Sequence, residues 1–368
     1  MIIERLSILN YKNIEQAEIT PSPKVNCFLG SNGMGKTNFL DAIYYLSFCK
    51  SHNNANDVQN INHNSDFSVI QGWYNLNKKT EEFFCSLRRK QKKQFKRNKK
   101  EYERFSDHIG LLPLIIVSPA DTELISGVSE ERRKFMDIFL SQFDKEYLQS
   151  LIRYNKALSQ RNALLKTEGY IDDSLLDLWD EQLAYDGQIV YERRKEFIEK
   201  FIPTFQKIYD FICSSHEKVE LRYKSHFDDG DFIATLKSRR KRDKAVGYTS
   251  AGVHRDDLEM MMDDYMIRKV GSQGQNKTYV VALKLAQFDF LKQATGITPI
   301  LLLDDIFDKL DSSRVEQIIK LVIEDNFGQI FITDTNREHL DEILSHTNSS
   351  YSLFLVEEGG VTQKHPEL

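Results

Sequence analysis

Gly30-Ser31-Asn32-Gly33-Met34-Gly35-Lys36-Thr37 follows a short apolar run, Val25 to Leu29, and precedes a helical pattern from Lys36 to Cys49 with Phe39, Leu40, Ile43, Tyr44 and Leu46 on one face. The octapeptide meets the pattern G-x-x-x-x-G-K-[ST] at every fixed position. Strand, glycine-rich loop and helix in that order form a phosphate-binding unit. The glycines let backbone N–H groups turn toward phosphate oxygens, and the helix N-terminus favours anions. Gly30, Ser31, Asn32, Gly33, Met34, Gly35, Lys36, Thr37 and the following Asn38 are therefore expected to hold a nucleotide. Lys36 should reach the β- and γ-phosphates, and the Thr37 hydroxyl should ligate Mg²⁺.

Far downstream, Ile300-Leu301-Leu302-Leu303-Asp304-Asp305 reads as a buried strand ending in two carboxylates. Asp304 is placed to face a magnesium ion held by Thr37. Asp305, one residue on, is the candidate base for an attacking water, making Lys36 and Asp305 the catalytic pair. Between the two motifs, Ser272-Gln273-Gly274-Gln275 opens a helical stretch. Ser272 alone reads as an ordinary N-cap. With the bare N–H of Gly274 and with Gln275 it can also make a second anion site, of use on a nucleotide held by another copy of the chain.

The 368 residues are 40% hydrophobic and 29% charged, as in globular proteins, with room for two or three domains. No apolar run is long enough for a membrane span, and Met1 to Arg5 lacks the pattern of a secretory signal. Cys27, Cys49, Cys85 and Cys213 are scattered, which favours reduced thiols and a cytoplasmic setting over a metal site or disulfides. Net charge is −5. Against it stand two basic runs, Arg88 to Lys100 and Lys237 to Lys244; each alone reads equally as a solvated surface segment, and together on an acidic chain they point to phosphate backbones as a partner.

The rest of the chain alternates strands and helices around a long helical insertion. Strands are expected at Ile2 to Leu9, Glu18 to Thr20, Phe67 to Tyr74, Glu82 to Leu87, Leu111 to Val117, Gly328 to Thr333 and Ser352 to Val356. Helices are expected over Ser272 to Gln293, Ser312 to Ile323 and Arg337 to Ser345. Two helical runs, one through Tyr147 to Leu165 and one through Leu176 to Phe197 ending at Pro203, with a turn near Gly169, make an antiparallel hairpin. The expected fold is α/β: a P-loop ATPase head built from 1–134 and 246–368, with an inserted helical arm, 135–245.

These pieces resemble the ABC-type ATPase heads of SMC-like proteins, and in detail the RecF family of bacterial recombination proteins. The resemblance is carried by Asn10-Tyr11-Lys12-Asn13, Gly33 to Asn38 with Asp41 to Leu46, Glu131 to Asp137, Tyr154 with Leu158, Arg161 to Leu165, Gly252 to Leu258, Ser272 to Gln275, and Leu303 to Phe307 with Leu310-Asp311. It implies ATP and Mg²⁺ as cofactors and a homodimer closed by ATP. Ser272 and Gly274 would touch the partner's nucleotide, and Asp311 would lie at the dimer interface. Slow hydrolysis would time release. The implied partners are gapped DNA and the RecO and RecR proteins, with RecA loading as the outcome. Thr333-Asp334-Thr335 stands where transporter heads carry a switch histidine, which makes Thr333 at most a weak γ-phosphate sensor. The chain departs from the family at Ala120, where a glutamate is usual, leaving Ser118 or Asp121 to act through water; at Ser51-His52-Asn53, which lacks an arginine; and at Asn276-Lys277. For His254-Arg255-Asp256-Asp257 two readings stand, a satisfied ion-pair cluster or a DNA or dimer contact. Alternative functions are a head of another SMC-like machine or of a transporter, a nucleotide-activated nuclease, and a monomeric P-loop kinase. The arm, the absent Leu-Ser-Gly-Gly-Gln sequence and the chain length weigh against these.

Overall fold

The computed structural model describes residues 1–54, 56–167, 172–213, 217–307, 310–323, 327–335 and 351–364. The chain opens with β1 (Ile2–Tyr11), β2 (Ile14–Ile19), β3 (Val25–Leu29), α1 (Lys36–Phe48), β4 (Phe67–Leu76), β5 (Lys79–Arg88), β6 (Gln94–Arg97), β7 (Lys100–Glu101) and β8 (Leu114–Val117). It continues through α2 (Glu123–Ser126), α3 (Ser129–Leu140), α4 (Lys145–Leu165), α5 (Asp173–Cys213), β9 (Val219–Lys224), α6 (Phe232–Val246), β10 (Asp257–Met262), β11 (Tyr265–Met266) and α7 (Ile267–Val270). It closes with α8 (Gln273–Thr295), β12 (Ile300–Asp304), α9 (Ser312–Ile323), β13 (Ile330–Asp334), β14 (Tyr351–Glu357) and β15 (Gly360–Lys364). The expected turn near Gly169 and helix from Arg337 to Ser345 lie outside the described residues.

The chain divides into two compact units, one of Met1–Asp121, Phe211–Ser214 and Gln273–Leu368, the other of Thr122–Asp210 and Ser215–Ser272. The first holds two sheets. One runs β15-β14-β3-β13-β12-β8, parallel throughout except for the β14–β15 hairpin. Its inner strands are unbroken apolar runs such as Ile300 to Leu303, as strands covered on both faces must be. The other is antiparallel, in the order β2-β1-β4-β5-β6-β7. Helix α1 touches strands of both sheets, so its apolar residues run around the helix rather than along one stripe. Phe28 stacks against Phe39, Phe331 and Phe354, tying the strand before the phosphate loop to the helix after it.

In the second unit, α4 and α5 run antiparallel: Glu146 pairs with Arg193, Arg153 with Asp186 and Arg161 with Asp180. Helix α5 does not end at Pro203 but continues to Cys213. Phe197, Phe201, Phe205, Ile208 and Tyr209 are buried on both sides of the proline. That packing outweighs the roughly 3 kcal/mol an interior proline costs a helix. The unit also takes in more chain than the 135–245 segment expected from helical patterning. Strand β9 pairs with β10, some 35 residues further on, and with β11 they form a three-stranded antiparallel sheet.

Candidate functional site: a phosphate loop facing two carboxylates

The loop after β3 is shaped by two glycines with positive φ, Gly33 at 82° and Gly35 at 107°. Gly35 is the N-cap of α1 and carries no side chain to cap the helix, so the first N–H groups are left for a ligand. An added Cβ on Gly35 would fall 2.6 Å from the Asn13 side chain. Asn13 braces the loop from β1–β2: its Nδ2 donates to the Met34 carbonyl at 3.1 Å, and Asn38 Nδ2 donates to its Oδ1 at 2.7 Å. The Gly359 N–H reaches the Met34 carbonyl as well, at 2.9 Å. Lys36 Nζ folds back on the carbonyls of Gly30 (2.7 Å) and Ser31 (3.0 Å). Burial lowers its pKa, while Asp305, Asp304 and Asp334 oppose that shift, so the ammonium faces a cluster of carboxylates.

Parallel pairing of β12 with β13 brings Asp304 level with Thr333. Thr37 Oγ1 donates to Asp304 Oδ1 at 2.8 Å, and Thr333 Oγ1 donates to the same oxygen at 2.7 Å. The Asp305 N–H donates to Thr333 Oγ1 at 3.0 Å, and Asp305 has a left-handed backbone, φ 49°. Asn32, Gly33, Gly35, Lys36, Thr37, Asn38, Asp304, Asp305 and Thr333 line one cleft of about 220 Å³. A hydroxyl beside a carboxylate is a hard oxygen pair suited to Mg²⁺. Among the described residues there is no cluster of three or more acidic, histidine or cysteine ligands, so such an ion would need phosphate oxygens and water to complete its shell. The family resemblance makes Thr333 at most a weak γ-phosphate sensor. Its hydrogen bonds add a bridge between both aspartates, which only the strand register discloses.

The cleft lining contains no residue of Ser272 to Gln275. Ser272, exposed, immediately precedes α8, and Gly274 and Gln275 lie in its first turn. A Cβ on Gly274 would come 2.9 Å from Arg314 Nη1. Asp311 caps α9, accepting from Ser313 Oγ at 2.7 Å and from the Arg314 N–H at 3.0 Å, and these bonds hold its carboxyl below the usual range.

At the departures from the family pattern, Asp121 accepts from the Ser118 N–H at 2.7 Å and pairs with Lys284 at 2.8 Å, and neither Ser118 nor Asp121 lines the cleft. Ser51 is buried and donates to Asp41, which also accepts from Tyr11 and Lys12. In the His254 to Asp257 segment, Asp256 meets Arg194 and Tyr223, Asp257 meets Arg132, His254 meets Tyr154 and the Thr249 carbonyl, and Arg255 is exposed over the Tyr248 ring. In the Lys237 to Lys244 run, Lys237 and Arg240 pair with Asp177, Arg240 also with Asp180, and Lys244 with Asp173. In the Arg88 to Lys100 run, Lys93 pairs with Asp57 and Arg97 with Glu81.

The family described as RecF/RecN/SMC N terminal domain matches residues 2–362. A Phocaeicola vulgatus protein named DNA replication and repair protein RecF is 61% identical over 366 residues, 99% of each chain. A protein of the same name from Bacteroides thetaiotaomicron is 60% identical over the whole of both chains. A solved structure described as the recombination mediator protein RecF-ATP in the RecFOR pathway is 28% identical, covers 99% of each chain and superimposes with a TM-score of 0.87. An Smc head bound to the C-winged helix domain of ScpA, 15% identical over 100% of this chain and 99% of that one, has a TM-score of 0.59 and shares the fold. A phosphate loop after β3, carboxylates at the end of β12 and full-length likeness to these relatives converge: the chain belongs to the RecF family of SMC-like ATPases.

Proposed function

We propose that the protein is an ATP-dependent DNA-binding protein of recombinational repair and of gap repair at replication forks. ATP would bind each subunit and close a symmetric homodimer on DNA, and RecO and RecR would act with it in loading RecA. The related RecF structure is described with ATP and within the RecFOR pathway, which supports the nucleotide and the partners. No helix among the described residues is long and apolar enough to cross a membrane, in keeping with a cytoplasmic setting.

In this reading, the N–H groups of Gly33, Gly35, Lys36 and Thr37 cradle the phosphates and Lys36 leaves its two carbonyls for the β- and γ-oxygens. Thr37 and Asp304 hold Mg²⁺, which when bound neutralises charge on the β- and γ-phosphates. Asp305, half-buried at the cleft, orients and deprotonates the attacking water. Ser272, Gly274 and Gln275 grip the γ-phosphate of the second copy, which makes hydrolysis depend on the dimer. The observation that carries this is the Thr37–Asp304 hydrogen bond, 2.8 Å long across 267 residues of sequence. It joins the two motifs that an ATPase of this type needs at one point.

The test is light scattering with and without ATP and Mg²⁺. Wild type should shift from monomer to dimer, Asp305→Asn should remain dimeric because turnover stops, and Ser272→Arg should stay monomeric with ATP bound. A wild type that remains monomeric at saturating ATP, yet hydrolyses it at an undiminished rate, would discard the composite site.

A further inference from the structure

The antiparallel sheet of the first unit contains the tripeptide Asn-Lys-Lys twice, at Asn77-Lys78-Lys79 and Asn98-Lys99-Lys100. Both copies make the same two-residue hairpin turn. Leu76 faces Lys79 across the first and Arg97 faces Lys100 across the second. Both central residues have positive φ in each turn: 52° and 65° at Asn77 and Lys78, 49° and 69° at Asn98 and Lys99. This is the type I′ turn, whose second position strongly favours glycine. A lysine there carries a left-handed backbone at a cost of about 1–2 kcal/mol. Turn formation alone does not call for it, and the same departure occurs twice.

The sheet brings the two turns to the same end of β5. The first turn joins β4 to the start of β5. The second docks on β5 at Glu82, whose N–H donates to Asn98 Oδ1 at 2.9 Å while the Asn98 N–H donates to the Glu82 carbonyl at 2.8 Å. From strand rise and strand spacing the turns lie roughly 15 Å apart. Glu81 lies between them: its carboxyl is held below the usual range first by Arg97, with smaller contributions from Asn98 and Lys79. Lys78, Lys79, Lys99 and Lys100 are all exposed, and none has an ion-pair partner among the described residues. The nearby carboxylates are engaged elsewhere. Glu81 pairs with Arg97, Glu82 accepts from Gln71, and Glu4 accepts from Asn75 and Thr80.

Resting on the DNA-binding reading above, we infer that these twin turns are a backbone-phosphate clamp for DNA. Lys78 and Lys79 would reach one stretch of phosphates and Lys99 and Lys100 another. A duplex carries a charge per roughly 1.7 Å of axis, so two stubby turns roughly 15 Å apart meet phosphates in any register. The contact would be indifferent to base sequence, because lysine ammonium groups on loops meet phosphates and not base edges. The inference also sorts the basic runs seen in sequence. Arg97, Lys93, Lys237, Arg240 and Lys244 are committed to carboxylates within the chain, whereas Lys78 and Lys79, outside either run, join the surface.

The experiment is fluorescence anisotropy of a labelled gapped duplex across a salt series, with ATP and Mg²⁺, for wild type and for Lys78→Gly/Lys79→Gln/Lys99→Gly/Lys100→Gln. The two glycines suit a type I′ turn, so the thermal midpoint should hold or rise while charge is lost. Affinity should fall roughly tenfold or more for every DNA sequence, with a salt slope shallower by about 2 or more. Arg240→Gln should leave the slope unchanged. If wild type binds and the fourfold variant matches its affinity and slope, the clamp is overturned; concurrent loss of binding to an acidic protein would reassign the turns to that surface. If wild type itself binds no DNA, the DNA-binding reading fails and the clamp with it.

Discussion

The cleft beside α1 and the buried interior of the second unit are both crowded with charge, yet they are built in opposite ways. Under α4 and α5, Arg161 donates to Asp180, Asp243 and Thr249, and Arg194 donates to Asp137, Asp256, Tyr147 and the Val253 carbonyl. Both arginines are essentially without solvent exposure. In the cleft, by contrast, Lys36 is held by two carbonyls, Asp305 stands half-buried with a left-handed backbone, and both line an open space of about 220 Å³. Charges that are closed over one another hold a fold, because desolvated ions need their partners. Charges that face a cavity are available to a ligand. Nearness of charge in itself distinguishes nothing.

The sharpest way to break this contrast is to remove a charge from the closed region. Arg161→Leu would leave Asp180 and Asp243 buried with fewer partners, and should lower unfolding free energy by about 3–5 kcal/mol. Urea denaturation would read it. ATP affinity of the remaining folded protein should be unchanged. If the loss stays within about 0.5 kcal/mol, the interior network is not structural and the contrast falls.

Next in size is a pH effect confined to the same interior. Burial pushes the His254 imidazolium down to about 4, aided by Arg255 and Arg133 and opposed by the Thr249 carbonyl. Burial also pushes the Asp256 carboxyl up to about 6, with Arg194 and Tyr223 opposing. The signs are opposite. A lowered histidine pKa means stability that is present above about pH 6.5 and is lost as pH falls through about 4. A raised aspartate pKa means stability that is present below about 3.8 and is lost as pH rises through about 6. The two largely cancel in the wild type. His254→Gln uncovers the aspartate: the stability gap between wild type and variant should be wider at pH 7 than at pH 4 by roughly 2–3 kcal/mol. A gap that does not change with pH would mean that His254 is not held neutral.

How much of this could be read from the sequence depended on the range of the interactions involved. The phosphate loop was legible because its glycines and lysine occupy fixed local positions between an apolar strand and a helix. Asp304 and Asp305 were legible because a run of leucines ending in two acids has few other uses. Strand β9 was missed, although Val219-Glu-Leu-Arg-Tyr-Lys224 alternates, because its partner β10 lies beyond the whole of α6. The basic run on α6 pointed to phosphate backbones because its acidic partners, Asp173, Asp177 and Asp180, lie 60 to 71 residues earlier on α5, out of reach of a local reading. Pro203 misled because the gain from burying Phe201 and Phe205 is tertiary. Local rules describe loops and caps well, and they cannot see which distant group a charge will meet.

A smaller effect separates the two halves of the cleft. Thr333→Val preserves shape but takes a donor from Asp304 and an acceptor from the Asp305 N–H. The cost should be about 1–2 kcal/mol, since one buried N–H loses its better partner. Turnover should fall further than ATP affinity, because the Asp304 carboxylate and the Asp305 backbone are loosened while the phosphate loop is untouched. Thr333→Ser should restore both measurements. If the valine variant hydrolyses ATP normally, Thr333 is a packing residue only.

The smallest expected effect on the monomer is the most telling about function. Gly274 lies in the first turn of α8, and an added Cβ would approach the flexible end of Arg314 at 2.9 Å. Gly274→Ala gains helix propensity and displaces a guanidinium that can move, so unfolding free energy should stay within about 0.5 kcal/mol of wild type. ATP binding by the monomer should also be unaltered, because Gly274 does not line the cleft beside Lys36. Yet if its N–H grips the γ-phosphate of a second copy, one methyl group stands where that phosphate must come. ATP-induced dimerisation should then be lost while stability and monomer affinity persist. A cleft that works alone predicts the reverse, an unaltered dimer and unaltered turnover. One methyl group therefore tests whether the open charges of the cleft are completed by ATP alone or by ATP and a second chain.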